Sequence, residues 1–420
     1  MKRLESVYIK KAEKNEKFKK VINMQVFLMT LYILLNYIAK NTLLPPILSS
    51  ISMYVFVAWT LLSSFVFKTS KTQICKYTLW YVVLMVWSVM SFLWADNLVY
   101  GQVYNMAVSL IITFCFINTI DTTEKLDYFA YVYVCASDIL CILIFATGQF
   151  VTEAEGGERL GGNITENANI FSSFLMVSAV FAAWLLIFKG HVLSKIFNGL
   201  SLAFILFMMA ASGGRKTIIA VLLCLVYFFV TKDRNDVIKS ILNIVKAAAI
   251  ILILYLAVMK IPLLYESVGF RFEQLLSLAE GGTSDVSSDA TRKKMIEIGF
   301  DAWLKKPIFG YGLDTFKYYN LQITKHFYYA HNNYVELLYD LGIIGFLLYY
   351  CFVGKLFINL AKIRNDKGHY KELGIGLIVE SLIFDIGGVS YYTVLIQVVL
   401  CFAFVAFSFA SKGNNTSRLN

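Results

Sequence analysis

Residues 168–188, ANIFSSFLMVSAVFAAWLLIF, form a stretch of 21 residues without one charged side chain. A helix needs about 20 apolar residues to cross the hydrocarbon core of a bilayer, because each residue advances it by about 1.5 Å. Polar residues, Asn167 and Lys189, flank the stretch on its two sides. The stretch therefore predicts a helix that spans a membrane.

Similar apolar stretches recur along the whole chain of 420 residues. Only 16% of the residues are charged, against about 25% in soluble proteins, and the mean hydropathy is +0.64. The four prolines are few, which suits long unbroken helices. The pattern predicts an all-α polytopic membrane protein with about twelve transmembrane helices, at residues 21–39, 43–67, 74–94, 103–120, 127–149, 168–188, 192–212, 216–231, 242–262, 333–354, 372–388 and 391–411.

One long polar segment interrupts this pattern. The predicted order is a basic tail (1–20), nine transmembrane helices (21–262), a loop (263–332), three transmembrane helices (333–411) and a short tail (412–420). The loop contains an amphipathic helix that ends at Trp303, with Ile296, Phe300 and Trp303 on one stripe. A helix of this kind also suits the surface of a membrane.

The distribution of Lys and Arg predicts the orientation. With a cytoplasmic N-terminus, cytoplasmic segments hold 24 of the 38 basic residues and the opposite side holds 12. Short cytoplasmic loops collect positive charge, so both termini are predicted to be cytoplasmic and the long loop to lie outside. The same rule accounts for the net charge of +10, so no nucleic-acid partner is expected.

Arginine departs from this topological rule. The chain has 30 Lys and 8 Arg, yet four arginines (Arg159, Arg215, Arg271 and Arg292) fall on the predicted outer side. A guanidinium binds phosphate in bidentate fashion, which an ammonium does not. Ordinary surface arginines that reach toward lipid headgroups are the alternative. For Arg215, which lies in a very short turn between two spans, a functional interpretation is favoured.

Four polar segments carry the candidate chemistry: E-R-L-G-G-N-I-T-E-N-A-N at 158–169, S-G-G-R-K-T at 212–217, S-S-D-A-T-R through P-I-F-G-Y-G at 287–312, and A-H-N-N-Y-V-E through L-G-I-I-G at 330–345. The Gly-rich turn opens a helix, where backbone amides and a cation favour an anion. His331, at the mouth of a span, suits proton removal from a hydroxyl, although an interfacial histidine bonded to a loop is the alternative.

Metal and disulfide chemistry have little support in the sequence. His326 and His331 are the two histidines on the predicted outer side, and no cysteine or carboxylate cluster accompanies them. The seven cysteines form no Cys-x-x-Cys pattern, and none lies in the long loop. Neither a metal nor another cofactor is expected.

The order of these motifs resembles the O-antigen ligase and Wzy-type polysaccharide polymerase superfamily. The motifs are R-L-x-G with N-x-N, a Gly-Gly-Arg turn, D-x-x-R before P-x-x-G-x-G, and H-N-x-x-x-E with L-G-x-x-G, over about residues 155 to 350. The acidic residue before the last motif, Asp340, stands one place from its usual position. The resemblance therefore assigns no role to Asp340.

The resemblance implies a GT-C-like membrane fold and a metal-independent, inverting glycosyltransferase whose donor is a glycan on undecaprenyl pyrophosphate. By position, Arg159, Arg215 and Arg292 look like the pyrophosphate-binding arginines of the family, and His331 looks like its base. Arg271, Asn332 and Tyr334 are further candidate substrate contacts. Phe327, Tyr328 and Tyr329 are placed to stack on sugars, or to form an aromatic belt at the membrane interface.

Several functions fit these implications. The favoured one is an O-antigen, capsule or exopolysaccharide polymerase that transfers the growing chain to a lipid-linked repeat unit. An O-antigen ligase, which delivers the chain to lipid A-core, is the near alternative, and a protein O-oligosaccharyltransferase or a polysaccharide or lipid transporter (flippase) is a more distant one. The expected place is the bacterial cytoplasmic (inner) membrane with the site on the outer face, among membrane lipids, a flippase and a chain-length regulator.

Overall fold

The computed structural model describes residues 24–39, 44–67, 74–148, 150–152, 158–160, 168–233, 236–269, 273, 287–364 and 366–415. Fourteen main helices occupy these ranges: α1 Met24–Ala39, α2 Ile47–Leu61, α3 Lys76–Met90, α4 Gly101–Thr119, α5 Thr123–Ala146, α6 Ala168–Phe188, α7 Val192–Ala211, α8 Arg215–Lys232, α9 Val237–Lys260, α10 Ser287–Trp303, α11 Phe316–Thr324, α12 Asn333–Lys362, α13 Tyr370–Asp385 and α14 Val394–Asn415.

Shorter elements continue or join these helices. A π-helix (Leu62–Val66) extends α2, a 3-10 turn (Ser91–Leu93) extends α3, and a helical turn with a π-helix (Pro262–Gly269) follows α9. Two three-residue strands, β1 (Phe150–Thr152) and β2 (Glu158–Leu160), pair in antiparallel register between α5 and α6. This small ribbon was not predicted.

The helices confirm the predicted fold class, an all-helical polytopic membrane protein. Each of the twelve predicted spans overlaps one helix. In the described ranges, nine helices are long and apolar enough to cross a membrane by length and composition. The other three are α1, which is short, and α8 and α13, which carry several charged residues.

Helix α6 lies at the centre of the bundle. It packs against α5, α7, α8 and α13, and 83% of its apolar stretch is buried in the protein. Ala179, Ala182 and Ala183 are fully buried. Their small side chains let the neighbouring helices approach α6 closely. Helix α9 is the opposite case: only 11% of its stretch is buried, as expected for a helix that faces lipid.

Helix α12 is longer than predicted and is broken inside. It runs to Lys362, and Gly342 within it has non-helical angles (φ 64°, ψ −170°). The segment 307–312 fills the break. Three backbone hydrogen bonds join the two segments: Tyr311 N–H to the Tyr339 carbonyl (2.9 Å), Gly312 N–H to the Asp340 carbonyl (2.8 Å) and Ile343 N–H to the Pro307 carbonyl (2.9 Å). Polar backbone groups released by the break thus gain partners inside the protein.

The amphipathic helix α10 is present, but its buried face differs from the predicted stripe. Met295, Gly299 and Ala302 are buried, whereas Phe300 of the predicted stripe is 44% exposed. A Cβ on Gly299 would lie 2.6 Å from a methyl carbon of Val335. Small residues therefore set this face, because they allow α10 to lie directly against α12.

Candidate functional site

His331 lies immediately before α12, in a left-handed backbone conformation (φ 51°) that is uncommon for residues other than glycine. Its neighbours in the chain are fixed on both sides. The carboxylate of Glu336 accepts a hydrogen bond from Ala330 N–H at 2.6 Å, and the side-chain oxygen of Asn332 accepts one from Val335 N–H at 3.1 Å. The H-N-x-x-x-E motif is thus an N-terminal cap of α12 that positions the imidazole.

Two cations from other helices act on this imidazole. Burial, followed by the positive charges of Arg292 in α10 and Lys216 in α8, lowers the pKa of His331 from 6.5 to about 4. The half-buried imidazole is therefore neutral at pH 7, the state in which it accepts a proton. The ring of Tyr329 lies 3.9 Å from it between centroids.

Lys216 was not predicted as a site residue. Its ammonium donates to the carbonyl of Ile386 at 3.2 Å, at the end of α13. Its side chain lies along Gly387, since a Cβ on that glycine would come within 2.2 Å of the ammonium nitrogen. The available signal was its place next to Arg215 in the glycine turn, but lysines are too common in this chain for that to single it out.

Asn333 holds the segment 386–393, between α13 and α14, against the start of α12. Its side-chain oxygen accepts from Ser390 N–H at 2.9 Å and from Tyr391 N–H at 3.3 Å. Its amide nitrogen donates to the Tyr350 hydroxyl at 2.8 Å. This fully buried side chain was also missed from the sequence, and through it the segment that contacts Lys216 is tied to the helix that follows His331.

The glycine turn before α8 is clamped to α6. Gly213 has a positive φ of 76°, which favours glycine, and the hydroxyls of Ser172 and Thr217 form a hydrogen bond beside Gly214. Arg215 is the first residue of α8 and is half-buried. Because Lys216 follows it directly, the turn brings both basic residues to the same helix end.

Two further predicted site arginines are Arg159 and Arg271. Arg159 lies in β2 opposite Val151, and this strand is close to α7 and to Tyr265–Gly269. Arg271 lies outside the described residues. Contacts of Arg159 and Arg271 with a diphosphate therefore stay predictions.

Asn332 and Tyr334 make contacts inside the protein. Besides the cap that Asn332 forms, the Tyr334 hydroxyl donates to the Leu382 carbonyl at 3.0 Å. Its ring stacks on Tyr350, with centroids 4.9 Å apart and an interplanar angle of 14°. Both residues have structural roles, and their contact with substrate stays a prediction.

Asp340, to which the resemblance assigned no role, ties three segments together. Its buried carboxyl oxygens accept from Asp314 N–H at 3.0 Å, from Thr315 N–H at 3.2 Å and from the Tyr391 hydroxyl at 2.7 Å. It thus joins α12 to the loop after α10 and to the segment between α13 and α14. Asp314 itself is paired with Lys317 at 2.5 Å, and burial raises the pKa of its carboxyl.

The arrangement combines a neutral base with nearby positive charge. Arg292 and Lys216 suit an anion, and His331 suits a hydroxyl that must lose its proton. In the described part of the chain, no group of three His, Cys, Asp or Glu side chains is placed to hold a metal ion. The site therefore brings together His331, Arg292 and Lys216, with Arg215 adjacent in the chain.

Comparison with known families agrees with the motifs. Residues 200–350 match a family model described as O-antigen ligase. The matched segment contains Arg215, Arg292 and His331, whereas Arg159 precedes it. No curated protein matches the chain. The resemblance predicted from the motifs is confirmed over this segment.

Proposed function

We propose that this chain, whose residues 200–350 match the O-antigen ligase family, is a membrane glycosyltransferase that moves a glycan from a lipid diphosphate to a sugar hydroxyl. The observation that carries the proposal is the half-buried imidazole of His331, held before α12 by the Asn332 and Glu336 hydrogen bonds and acted on by the charges of Arg292 and Lys216. A base and fixed cations are what this transfer requires.

The proposed reaction is a single displacement. The acceptor hydroxyl oxygen attacks the anomeric carbon, and the bond from that carbon to the diphosphate oxygen breaks with its electron pair on the diphosphate. The hydroxyl proton passes to the His331 imidazole. Attack from the face opposite the leaving group inverts the anomeric configuration. Cations fixed near the leaving oxygen stabilise the transition state, because negative charge grows there as the bond breaks.

In this proposal, binding of the donor also changes the pKa of His331. Burial, and after it the charges of Arg292 and Lys216, lower the pKa of His331 while no anion is bound. A diphosphate bound between them cancels much of that charge, so the pKa of His331 rises toward its ordinary value. The imidazole thus becomes a stronger base once the donor is in place.

For the acceptor, we propose a lipid-linked repeat unit, which makes the protein a polysaccharide polymerase. The donor carrier is then undecaprenyl pyrophosphate, and the site is on the outer face of the bacterial cytoplasmic membrane with both termini inside. Transfer to lipid A-core by an O-antigen ligase is at least as consistent with the matched family description. The two differ only in the acceptor.

Deletion of the gene, followed by analysis of lipid-linked and surface polysaccharide, tests the proposal. Single repeat units left on the carrier indicate a polymerase, whereas full-length chains left on the carrier indicate a ligase. Purified protein in detergent, given lipid-linked repeat units, separates both from a transporter, because a transporter forms no glycosidic bond. Unchanged polysaccharide in the deletion strain, or no bond formation by the purified protein with either acceptor, contradicts the proposal.

A further inference from the structure

Three aromatic rings are exposed between α11 and α12, next to His331. The exposed fractions are 50% for Phe327, 47% for Tyr328 and 38% for Tyr329. Exposed aromatic side chains that form a contiguous group mark binding surfaces more often than single exposed residues do. None of these rings is used in the transfer step described above.

Buried polar side chains hold the backbone that carries these rings. The amide nitrogen of Asn320, which is fully buried, donates to the carbonyls of His326 at 3.0 Å and Tyr328 at 3.3 Å. His326 N–H in turn donates to the Thr324 hydroxyl at 3.2 Å. At the other end, the Ala330 N–H bond to Glu336 fixes the chain. The rings are therefore presented on a rigid backbone, which lowers the entropy cost of binding.

The rings form a continuous series of neighbours that ends at His331, the proposed base. His326 and Tyr328 lie nearly parallel, with centroids 5.5 Å apart and an angle of 11°. Tyr328 lies 6.5 Å from His331 and Tyr329 lies 3.9 Å from it, again between centroids. Tyr328 and Tyr329 are thus both neighbours of His331.

We propose that Tyr328, with His326 and Tyr329, forms a platform that binds the acceptor sugar. The inference rests on the proposed function and names its acceptor subsite. A pyranose has an apolar face of C–H groups, which stacks on an aromatic ring, and a polar edge, which bonds to phenol and imidazole groups. The diphosphate of the donor instead suits Arg292 and Lys216. His331 is the common neighbour of both sets.

A membrane-interface belt is the competing role for these aromatics. The belt requires only that the rings reach the headgroup region, and it does not require a fixed backbone. The buried amide of Asn320 orders the segment at two carbonyls, those of His326 and Tyr328, which favours a specific ligand. A test of the platform must therefore distinguish contact of the rings with sugar from contact with detergent, which takes the place of lipid.

Saturation-transfer NMR tests the platform directly. The probe is the repeat-unit oligosaccharide, released from its lipid carrier by mild acid so that it carries no diphosphate. Irradiation of protein aromatic protons in the full chain in detergent is expected to saturate the C–H protons of the sugar. Tyr328→Ala is expected to weaken binding by roughly 3- to 10-fold, the range of one aromatic contact, while Tyr328→Phe retains the ring and most of the affinity.

A matched control is Tyr100→Ala. Tyr100 is 65% exposed, and the nearby residue Ala95 lies against Gly312, so this ring is at the same end of the bundle as the loop. Its removal is expected to leave sugar binding unchanged. His326→Ala provides a second platform variant, and a melting curve of each variant verifies its fold. Equal saturation in wild type, Tyr328→Ala and His326→Ala, or saturation of detergent protons alone, overturns the platform.

Transfer assays with lipid-linked repeat units separate this inference from the proposed function. If wild type transfers glycan and Tyr328→Ala shows the same dependence on acceptor concentration, the platform is wrong and the function stands. If no form transfers glycan, yet sugar binding depends on Tyr328, the function is wrong, and Tyr328 binds sugar without being an acceptor subsite. A higher acceptor KM in Tyr328→Ala, with kcat nearly unchanged at saturation, supports both.

Discussion

Gly342 lies so close to the carbonyl of Ile308 that a Cβ on it would come within 2.1 Å of that oxygen. Gly342 belongs to the break in α12, and Ile308 belongs to the loop that follows α10. The contact needs both the missing side chain and the positive φ of 64°. Two of the sequence motifs, L-G-x-x-G and P-x-x-G-x-G, therefore lie on the two sides of one backbone junction.

The first prediction tests this junction. Gly342→Ala is expected to destabilise the protein by at least about 2 kcal/mol, because it adds a backbone clash to a strained φ. Gly354→Ala, in the same helix with open space around its Cα, is the control and is expected to be neutral or to stabilise by about 0.5–1 kcal/mol. Thermal unfolding in detergent measures both. Equal melting temperatures for the two variants would show that the junction does not depend on this glycine.

The second prediction concerns His331 itself. His331→Ala is expected to reduce glycan transfer by roughly 10²- to 10⁴-fold, the usual contribution of a general base, while the protein inserts normally. His191→Ala, an exposed histidine that precedes α7, is the control and is expected to transfer at the wild-type rate. Polymer ladders of wild-type length from the His331→Ala strain would rule out this residue as the base.

The third prediction is a difference between two pH profiles. The acidic limb of kcat/KM reports the free enzyme, in which the pKa of His331 is about 4, so this limb is expected near pH 4. The acidic limb of kcat reports the substrate complex, in which the diphosphate offsets the nearby cations. It is therefore expected at higher pH. Coincident limbs, measured with lipid-linked repeat units in detergent, would contradict anion binding beside His331.

The fourth prediction assigns part of that low pKa to Lys216. Lys216→Met keeps most of the stem but removes the charge, so protonated His331 becomes less unfavourable and the acidic limb of kcat/KM moves toward neutral pH. Lys216→Arg keeps the charge and is expected to keep the limb near its wild-type position. Lys232→Met, at the other end of α8, is the control. A limb that stays in place in Lys216→Met would exclude Lys216 from the electrostatics of the site.

The fifth prediction tests whether Arg215 contacts phosphate through its planar fork. Arg215→Lys keeps the charge but loses bidentate binding, so the affinity for inorganic pyrophosphate is expected to fall roughly 10-fold. Arg364→Lys, in the short segment between α12 and α13, is the control. Inhibition of transfer by added pyrophosphate measures the affinity. Identical inhibition of wild type and Arg215→Lys would argue against a bidentate contact.

Much of the site chemistry was visible in the sequence, but its assembly was not. The Gly-Gly-Arg turn and the H-N-x-x-x-E motif are local patterns, and they pointed to Arg215 and His331. Lys216 stayed unnoticed because its role depends on His331, which is far away in the chain. Asn320 stayed unnoticed because no local pattern shows that its amide holds the backbone of Tyr328.

The sequence by itself determined that this chain is a bundle of membrane helices and where those helices lie. Hydropathy and helix length are local properties, so they are visible without knowledge of any partner. The tertiary structure decided which polar groups meet. Asp340 joins Asp314 and Tyr391, and α10 buries Gly299 rather than Phe300. Such contacts depend on the fit between helices that are distant in the chain, and a local pattern carries no record of that fit.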